Sequence, residues 1–347
     1  MTFPGVVSSN SKDVFEDGLA TGVSVMKFSV VITTYNRLNL LKRAIDSALN
    51  QTIATEVVVA DDCSCDGTQE YVNSLIEKLS LSGDSRLIYH RNQVNSGHSA
   101  TVNAGISKAS GEWIKFLDDD DYLAVNCLEE MARAIALQPQ AVICSCIAAQ
   151  VDENEVEYDR TPQVGPGLAF YVPQADIHYG MLLELLPFGT PVQVACRRDA
   201  FVQTGGWDSK LDANCDDIDS WIHIAKFGDA IFLNQCLAYR TIWPGAYNHK
   251  FSPSQRLNAN ILIKEKLYAL VDEMHHSHIP ALADIKNYLK LHWFIVALKQ
   301  KNFHSVINIV FPSVLSWKAW QLLLNAIIAR RFHYQNSHVR KVVLIDL

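Results

Sequence analysis

From residue 28 to about residue 147 the chain alternates short apolar runs with stretches whose apolar residues recur every three or four positions. Residues 28–34 hold Val30, Val31 and Ile32 in an unbroken β-branched run and predict a buried strand. In residues 38–49 the apolar positions are Leu41, Ala44, Ile45, Ala48 and Leu49, which is helical spacing. The pattern then predicts a strand at 56–60, a helix at 69–79 entered through Asp66 and Gly67, and a strand at 86–90. A helix at 100–109 closes on Ser110 and Gly111, and a strand at 113–117, a helix at 127–137 and a strand at 141–148 follow. Such alternation predicts an α/β fold: a mostly parallel central sheet flanked by helices, with ligands at the carboxyl ends of its strands.

Beyond residue 150 the pattern loosens. Residues 158–173 carry three prolines and two glycines and predict a mobile loop. A helix near 177–186, a strand at 191–197 and a helix at 218–227 follow. After residue 255 the character changes to long helices, at 254–273, 281–301 and 316–331, with one short strand at 342–345. The first residues are rich in Ser, Gly and Asp. The expected organisation is a loose tail over 1–26, an α/β domain over 27–250 and a C-terminal helical region over 251–347. No apolar run reaches the length of a membrane span; the closest, 306–329, is broken by Pro312, Ser313, Ser316 and Lys318. No basic segment followed by an apolar one opens the chain, so a cytoplasmic location is expected.

Composition narrows the function classes. The 347 residues are 49% hydrophobic and carry a net charge of −7. No basic stripe is present, so nucleic acid is not an expected partner. Of the eight cysteines, Cys63 and Cys65, like Cys144 and Cys146, are too close for ordinary disulfides, and no CxxC pair exists. Reduced thiols are expected, without a redox or zinc role.

The chemistry sits at strand ends. Residues 113–117 run directly into four aspartates, Asp118 to Asp121. Four adjacent carboxylates repel one another and are costly to desolvate, so a cation is expected among them, and hard oxygen donors suit Mg²⁺ or Mn²⁺. The first strand ends on Thr33, Thr34, Tyr35, Asn36 and Arg37. Tyr35 offers an aromatic face to a base and Thr33 a hydroxyl, although an aromatic there is more often packing. The second strand ends on Asp61 and Asp62, followed by Ser64, Asp66, Gly67 and Thr68. A carboxylate at that point can accept the imide N–H of uracil, while Ser64 or Asp66 can equally cap the next helix. Together these ends suggest a nucleotide diphosphate held through a divalent metal.

In this order the motifs resemble family 2 inverting glycosyltransferases of the GT-A fold. The matching pieces are Thr34-Tyr35-Asn36-Arg37, Asp61-Asp62 with Ser64 and Asp66-Gly67-Thr68, Asn95-x-Gly97, Asn103-Ala104-Gly105-Ile106 and the run from Gly111 to Asp121. Gly205-Gly206-Trp207-Asp208 and Asp216-Asp217 with Asp219 and Trp221 complete the set, which covers about residues 27–245. The resemblance implies that Thr33, Tyr35 and Asp62 hold the nucleoside, with Asp118 and Asp119 also on the nucleotide-sugar donor. It implies that Asp118-x-Asp120 is the DxD motif, Asp120 and Asp118 being the metal carboxylates. Asp217 would be the general base that deprotonates the acceptor hydroxyl, and Asp219 a support for its helix. The expected reaction transfers one sugar, with inversion, from a UDP-sugar to a glycan or lipid-linked acceptor. The same fold with a dTDP- or GDP-sugar, or a non-catalytic nucleotide-sugar binder, remain the alternatives.

Two features depart from the family. Its usual arginine is replaced in Thr101-Val102-Asn103, which leaves Lys115, Arg240 and His249 as candidate cations for the phosphates. The processive Gln-x-x-Arg-Trp motif is absent; Tyr239-Arg240-Thr241-Ile242-Trp243 is similar to the non-processive segment. Nucleotidyltransferase and nicotinamide chemistry are disfavoured, because no glycine-rich phosphate loop follows the first strand. His275, His276 and His278 are expected to form a solvated cluster. For the C-terminal helices, with Trp317, Trp320, Arg330 and Arg331, two readings stay open: core against the α/β domain, or peripheral contact with the inner face of a membrane.

Overall fold

Every residue of β1 (Phe28–Thr34) is buried, as an unbroken apolar run requires of a strand covered on both faces. The structure is a computed structural model that describes residues 26–212, 215–243, 252–299, 313–332, 343–345 and 347. β1 pairs in parallel with β2 (Glu56–Asp61) on one side and β4 (Trp113–Asp118) on the other, and β3 (Leu87–Arg91) lies beyond β2. Past β4 the order continues through β9 (Val194–Arg197), β6 (Ala141–Val151), β10 (Asp229–Thr241), β8 (Ala169–Val172) and β11 (Val343–Leu344). β9 runs antiparallel to β4 and β6, and β8 antiparallel to β10, so β1, β2, β3, β4, β6 and β10 all point the same way. Short β5 (Tyr122–Leu123) pairs with β10, and β7 (Glu157–Arg160) with β6.

The period-2 geometry of the strands divides the core. Val30, Ile32, Val57 and Val59 face one side, beneath α1 (Leu38–Leu49), α2 (Thr68–Leu81) and α4 (Cys127–Leu137). Val31 and Val58 face the other, beneath α3 (His98–Lys108), α5 (Gln174–Leu182), α6 (Arg198–Thr204) and α7 (Asp216–Ile224). Gly105 is what lets α3 approach the sheet: a Cβ there would lie 2.6 Å from Val31 and 3.0 Å from Ala60. α8 (Pro253–Leu270) packs on α5 and α7, α9 (Leu282–Lys299) on α8, and α10 (Trp317–Phe332) on α9.

Three expectations change. β10 is a long strand that the sequence pattern hides, because Asn234 and Gln235 interrupt its apolar run where the register with β6 shifts twice. The loop expected over 158–173 contains the end of β7 and all of β8; Phe170 is fully buried and stacked on Phe232 at 5.2 Å, a tertiary contact that outweighs the local prolines and glycines. His275 is not solvated: it is buried, 2.9 Å from Asp176 and stacked on Tyr179, and it fastens the C-terminal helices to α5.

Candidate active site

The parallel strands end together, and their following turns build one cleft of about 670 Å³. Thr33, Tyr35, Asp62, Asp118, Asp119, Asp120 and Asp217, all singled out by the sequence, line it. They come from β1, β2, β4 and α7, so the sheet brings together residues up to 184 positions apart, Thr33 and Asp217 being the extremes.

The four aspartates have four different environments. Asp118 accepts from the Thr33 hydroxyl and faces His98 Nε2, each at 3.1 Å. Burial alone would raise its carboxyl, but the hydrogen bond and charge of His98 outweigh that and hold it below its ordinary value. Asp119 turns back into the strand ends, bonding the Thr34 hydroxyl at 2.8 Å and Arg37 at 3.0 Å, and burial pushes it up to about 7. Asp120 accepts from Trp243 Nε1 at 2.9 Å and Arg37 at 3.3 Å; burial and then the charge of Asp118 raise it. Asp121 is buried and accepts the Thr241 N–H at 2.8 Å. Arg43 completes the fastening, donating to the Asp120 carbonyl and to the Thr241 hydroxyl at 2.6 Å each. The run is therefore tied to β1 through Asp118 and Asp119 and to β10 through Asp121, with Asp120 held by Arg37 and Trp243.

Asp62 is largely buried, with one oxygen bonded to Asn92 and the Ser96 N–H and the other to the Gly97 N–H at 2.9 Å. It shapes the turn into α3. Gly97 has φ +88°, and a Cβ there would collide with Asp212. Tyr35 is 46% exposed, with its ring free of the core.

On the opposite wall α7 begins with Asp216 and Asp217. Asp216 is buried, 3.1 Å from His98 Nδ1 and 3.2 Å from the Ser99 hydroxyl. Asp217 is half-buried and accepts only its neighbour's Ile218 N–H, at 2.7 Å, among the hydrogen bonds of the described residues. Burial, and then the charge of Asp216, push the Asp217 carboxyl up to about 7. Asp219 points away, bonded to Lys266 on α8. Beneath this wall Phe116, Trp207 and Trp221 form an aromatic floor with ring centroids 5.0–5.8 Å apart. Asn103 bonds both the N–H and the carbonyl of Trp207, and Gly206 leaves room for it, so these motif residues support the site without lining it.

Of the candidate phosphate cations, Arg240 lines the cleft and His249 lies outside the described residues. Lys115 is corrected: it is fully buried in β4 and donates to the carbonyls of Val192 and Val194, holding the Thr190–Pro191 edge of the cleft. The sequence motifs held Arg37 and Trp243 without giving either a role, and left out His98. His98 directly follows the Asn95-x-Gly97 motif and Arg37 closes another, so both were within reach; Trp243 depends on the path of β10.

The family model for Glycosyl transferase family 2 matches residues 29–205. The chain belongs to this family. The family 2 domain is 39% identical over 107 residues to the GalNAc(5)-diNAcBac-PP-undecaprenol beta-1,3-glucosyltransferase of Campylobacter jejuni, a match covering 30% of this chain and 33% of that protein. Glycosyltransferase GlyA of Streptococcus pneumoniae is 24% identical over 270 residues, 77% of this chain and 36% of that protein. The chain thus spans about a third of the length of these curated relatives. In fold it is similar to S. aureus TarS 1-349 in complex with UDP-GlcNAc, with TM-score 0.56 and 18% identity over 87% of this chain and 79% of that one. The mannosyltransferase PcManGT from Pyrobaculum calidifontis, in complex with GDP-Man and Mn²⁺, gives TM-score 0.52 and 17% identity over 89% of this chain and 88% of that one. The family 2 domain here has the same GT-A architecture.

Among the described residues no group of three or more His, Cys, Asp or Glu side chains is arranged to hold a metal alone. Asp118 and Asp120 supply two hard carboxylates at the cleft. That donor set fits Mg²⁺ or Mn²⁺ in the mode where one or two carboxylates share the ion with substrate phosphates and water.

Proposed function

We propose that this protein is an inverting glycosyltransferase that moves one sugar from a nucleotide-diphosphate sugar, a UDP-sugar, to a hydroxyl of a glycan or lipid-linked acceptor. The observation that carries the reading is Asp217: a carboxylate raised to about 7, with its outer face unengaged, across a cleft from the acidic strand end. A base with a pKa near the working pH combines a large deprotonated fraction with driving force for proton transfer.

In this reading residues 27–250 are the catalytic unit and 251–347 a helical region that braces it. Tyr35 stacks on the base, Thr33 and Asp62 hold the nucleoside, and Asp118 with Asp119 orders the donor side. Asp118 and Asp120 would hold Mn²⁺ or Mg²⁺, which when bound neutralises charge on the departing diphosphate. Arg37 and Trp243 hold the Asp120 carboxylate in place, and Arg240 offers a cation where the usual family arginine is missing. Asp217 takes the acceptor hydroxyl's proton as that oxygen approaches the anomeric carbon, and Asp216, held by His98 and Ser99, keeps α7 in register. The name of the Campylobacter jejuni relative, with a glycan on PP-undecaprenol, supports a lipid-linked acceptor, and with it a peripheral location on the inner face of a membrane. A donor panel tests the whole: nucleotide release should be fastest with one UDP-sugar in Mn²⁺ or Mg²⁺. Release from a dTDP- or GDP-sugar alone would reassign the donor, and binding without release would favour a non-catalytic binder.

A further inference from the structure

α10 buries Ala319 and Leu323 against Leu291 of α9. Its other apolar face has no cover among the described residues. Trp317 is 80% exposed, Leu324 57% and Ile327 52%, with Trp320 and Ile328 beside them. At the helical repeat, positions 317, 320, 324, 327 and 328 fall on one stripe about 100° wide. Leu315, in the turn before the helix, is also exposed, at 73%. Single exposed apolar residues are ordinary on any surface; a continuous stripe with two tryptophans marks a contact.

Charge says what the contact is. Residues 285–345 contain nine lysines and arginines and no aspartate or glutamate, in a chain whose total is −7. The rest of the chain is therefore more acidic than that total. An anionic bilayer attracts the C-terminal region and repels the acidic remainder, which fixes an orientation. A second copy of this chain would bring a like-charged face to the stripe. Lys318 flanks the stripe at 71% side-chain exposure even while paired with Asp284. No described helix is long and apolar enough to cross a membrane; an amphipathic helix bound to a bilayer lies in the interface plane.

We propose that the stripe of α10 seats this protein on an anionic lipid surface, with Trp317 and Trp320 at headgroup depth and the net positive charge of residues 285–345 drawing this region to the lipid. This rests on the peripheral location given above and names its surface and its lipid chemistry.

The test is flotation of the full chain with phosphatidylcholine vesicles and with vesicles containing phosphatidylglycerol. Binding to the anionic vesicles should exceed binding to the neutral ones at least tenfold and weaken with salt. Trp317→Glu with Leu324→Glu should abolish flotation while melting and UDP titration stay unchanged. A second variant, Arg330→Gln with Arg331→Gln, Arg340→Gln and Lys341→Gln, keeps every apolar residue and should lose at least tenfold, so a folding defect in the first leaves the proposal testable. Wild-type protein that floats with neither vesicle, or equally with both, overturns it, as do variants that float like wild type. A dimer that Trp317→Glu converts to monomer would put a second copy on the stripe and also overturn it. Turnover with a water-soluble acceptor is read on the same samples. Turnover without vesicle binding defeats only the surface, and vesicle binding without turnover defeats only the transferase reading.

Discussion

Asp217→Asn should separate chemistry from binding. The amide keeps the shape of the carboxylate and can still accept the Ile218 N–H that Asp217 accepts at 2.7 Å, so the start of α7 should hold. It cannot take a proton at neutral pH. General-base contributions are about 10²–10⁴-fold, or about 3–5 kcal/mol of barrier, and kcat should fall by that factor. Donor affinity should hardly move. The wild type should show a matching pH profile. With the carboxyl at about 7, the ionised, active form grows as pH rises through that value. At pH 6 only about a tenth of it is ionised, so kcat should climb steeply from pH 5 and level off above neutrality. A bound divalent cation pulls the midpoint lower, so about 7 is its upper bound. Asp216→Asn removes the charge that helps to raise Asp217, and should keep turnover within about tenfold while moving the acid limb to lower pH. Asp219→Asn loses the Lys266 contact and should cost stability before rate. Steady-state transfer across pH, with UDP-sugar titration alongside, measures all three variants. Near-normal turnover in Asp217→Asn, with Asp216→Asn or Asp219→Asn inactive, would refute the assignment and move the base along the cluster.

Asp120→Ala should abolish Mn²⁺-dependent UDP binding in calorimetry with the fold retained, since it removes one of the two carboxylates proposed to hold the metal; undiminished metal-dependent affinity would contradict the site. Asp62→Ala should weaken UDP more than CDP, and because Asp62 also holds Asn92, Ser96 and Gly97 it should lower the melting temperature as well; an unchanged UDP-to-CDP ratio would leave it a structural role alone. Metal-free protein should melt at higher temperature at pH 6 than at pH 8. Asp119 is raised to about 7 in the fold, so its contribution is complete below the unfolded carboxylate value and is lost as pH rises through about 7; His98, also raised, has the same sign. Asp119→Asn should flatten that slope in a thermal-shift series.

The α/β domain was legible because its first half is locally consistent: apolar runs of strand length, helical spacing between them, and glycines at the turns. Those features follow from backbone geometry and from burial on both faces of a sheet, which any stretch of sequence carries in its own period. The ordered acidic and turn motifs determined the family and the residues to inspect, because the set occurs in one order along the chain. Local pattern could not decide which carboxylate does what. Asp118, Asp119, Asp120 and Asp121 are adjacent and identical as letters, yet Asp118 and Asp119 bond the Thr33 and Thr34 hydroxyls of β1, Asp120 bonds Trp243 and Arg37, and Asp121 bonds the Thr241 N–H of β10. Likewise Lys115 reads as a spare cation until β9 is laid beside β4 and its carbonyls consume the ammonium. β10 was hidden because its bulges break the alternation that reveals a strand, and with it went the contact of Trp243 with Asp120. The sequence alone determined fold class, family and the candidate residues; tertiary structure decided their surroundings, because hydrogen-bond partners and burial come from elements that meet only when the chain is folded.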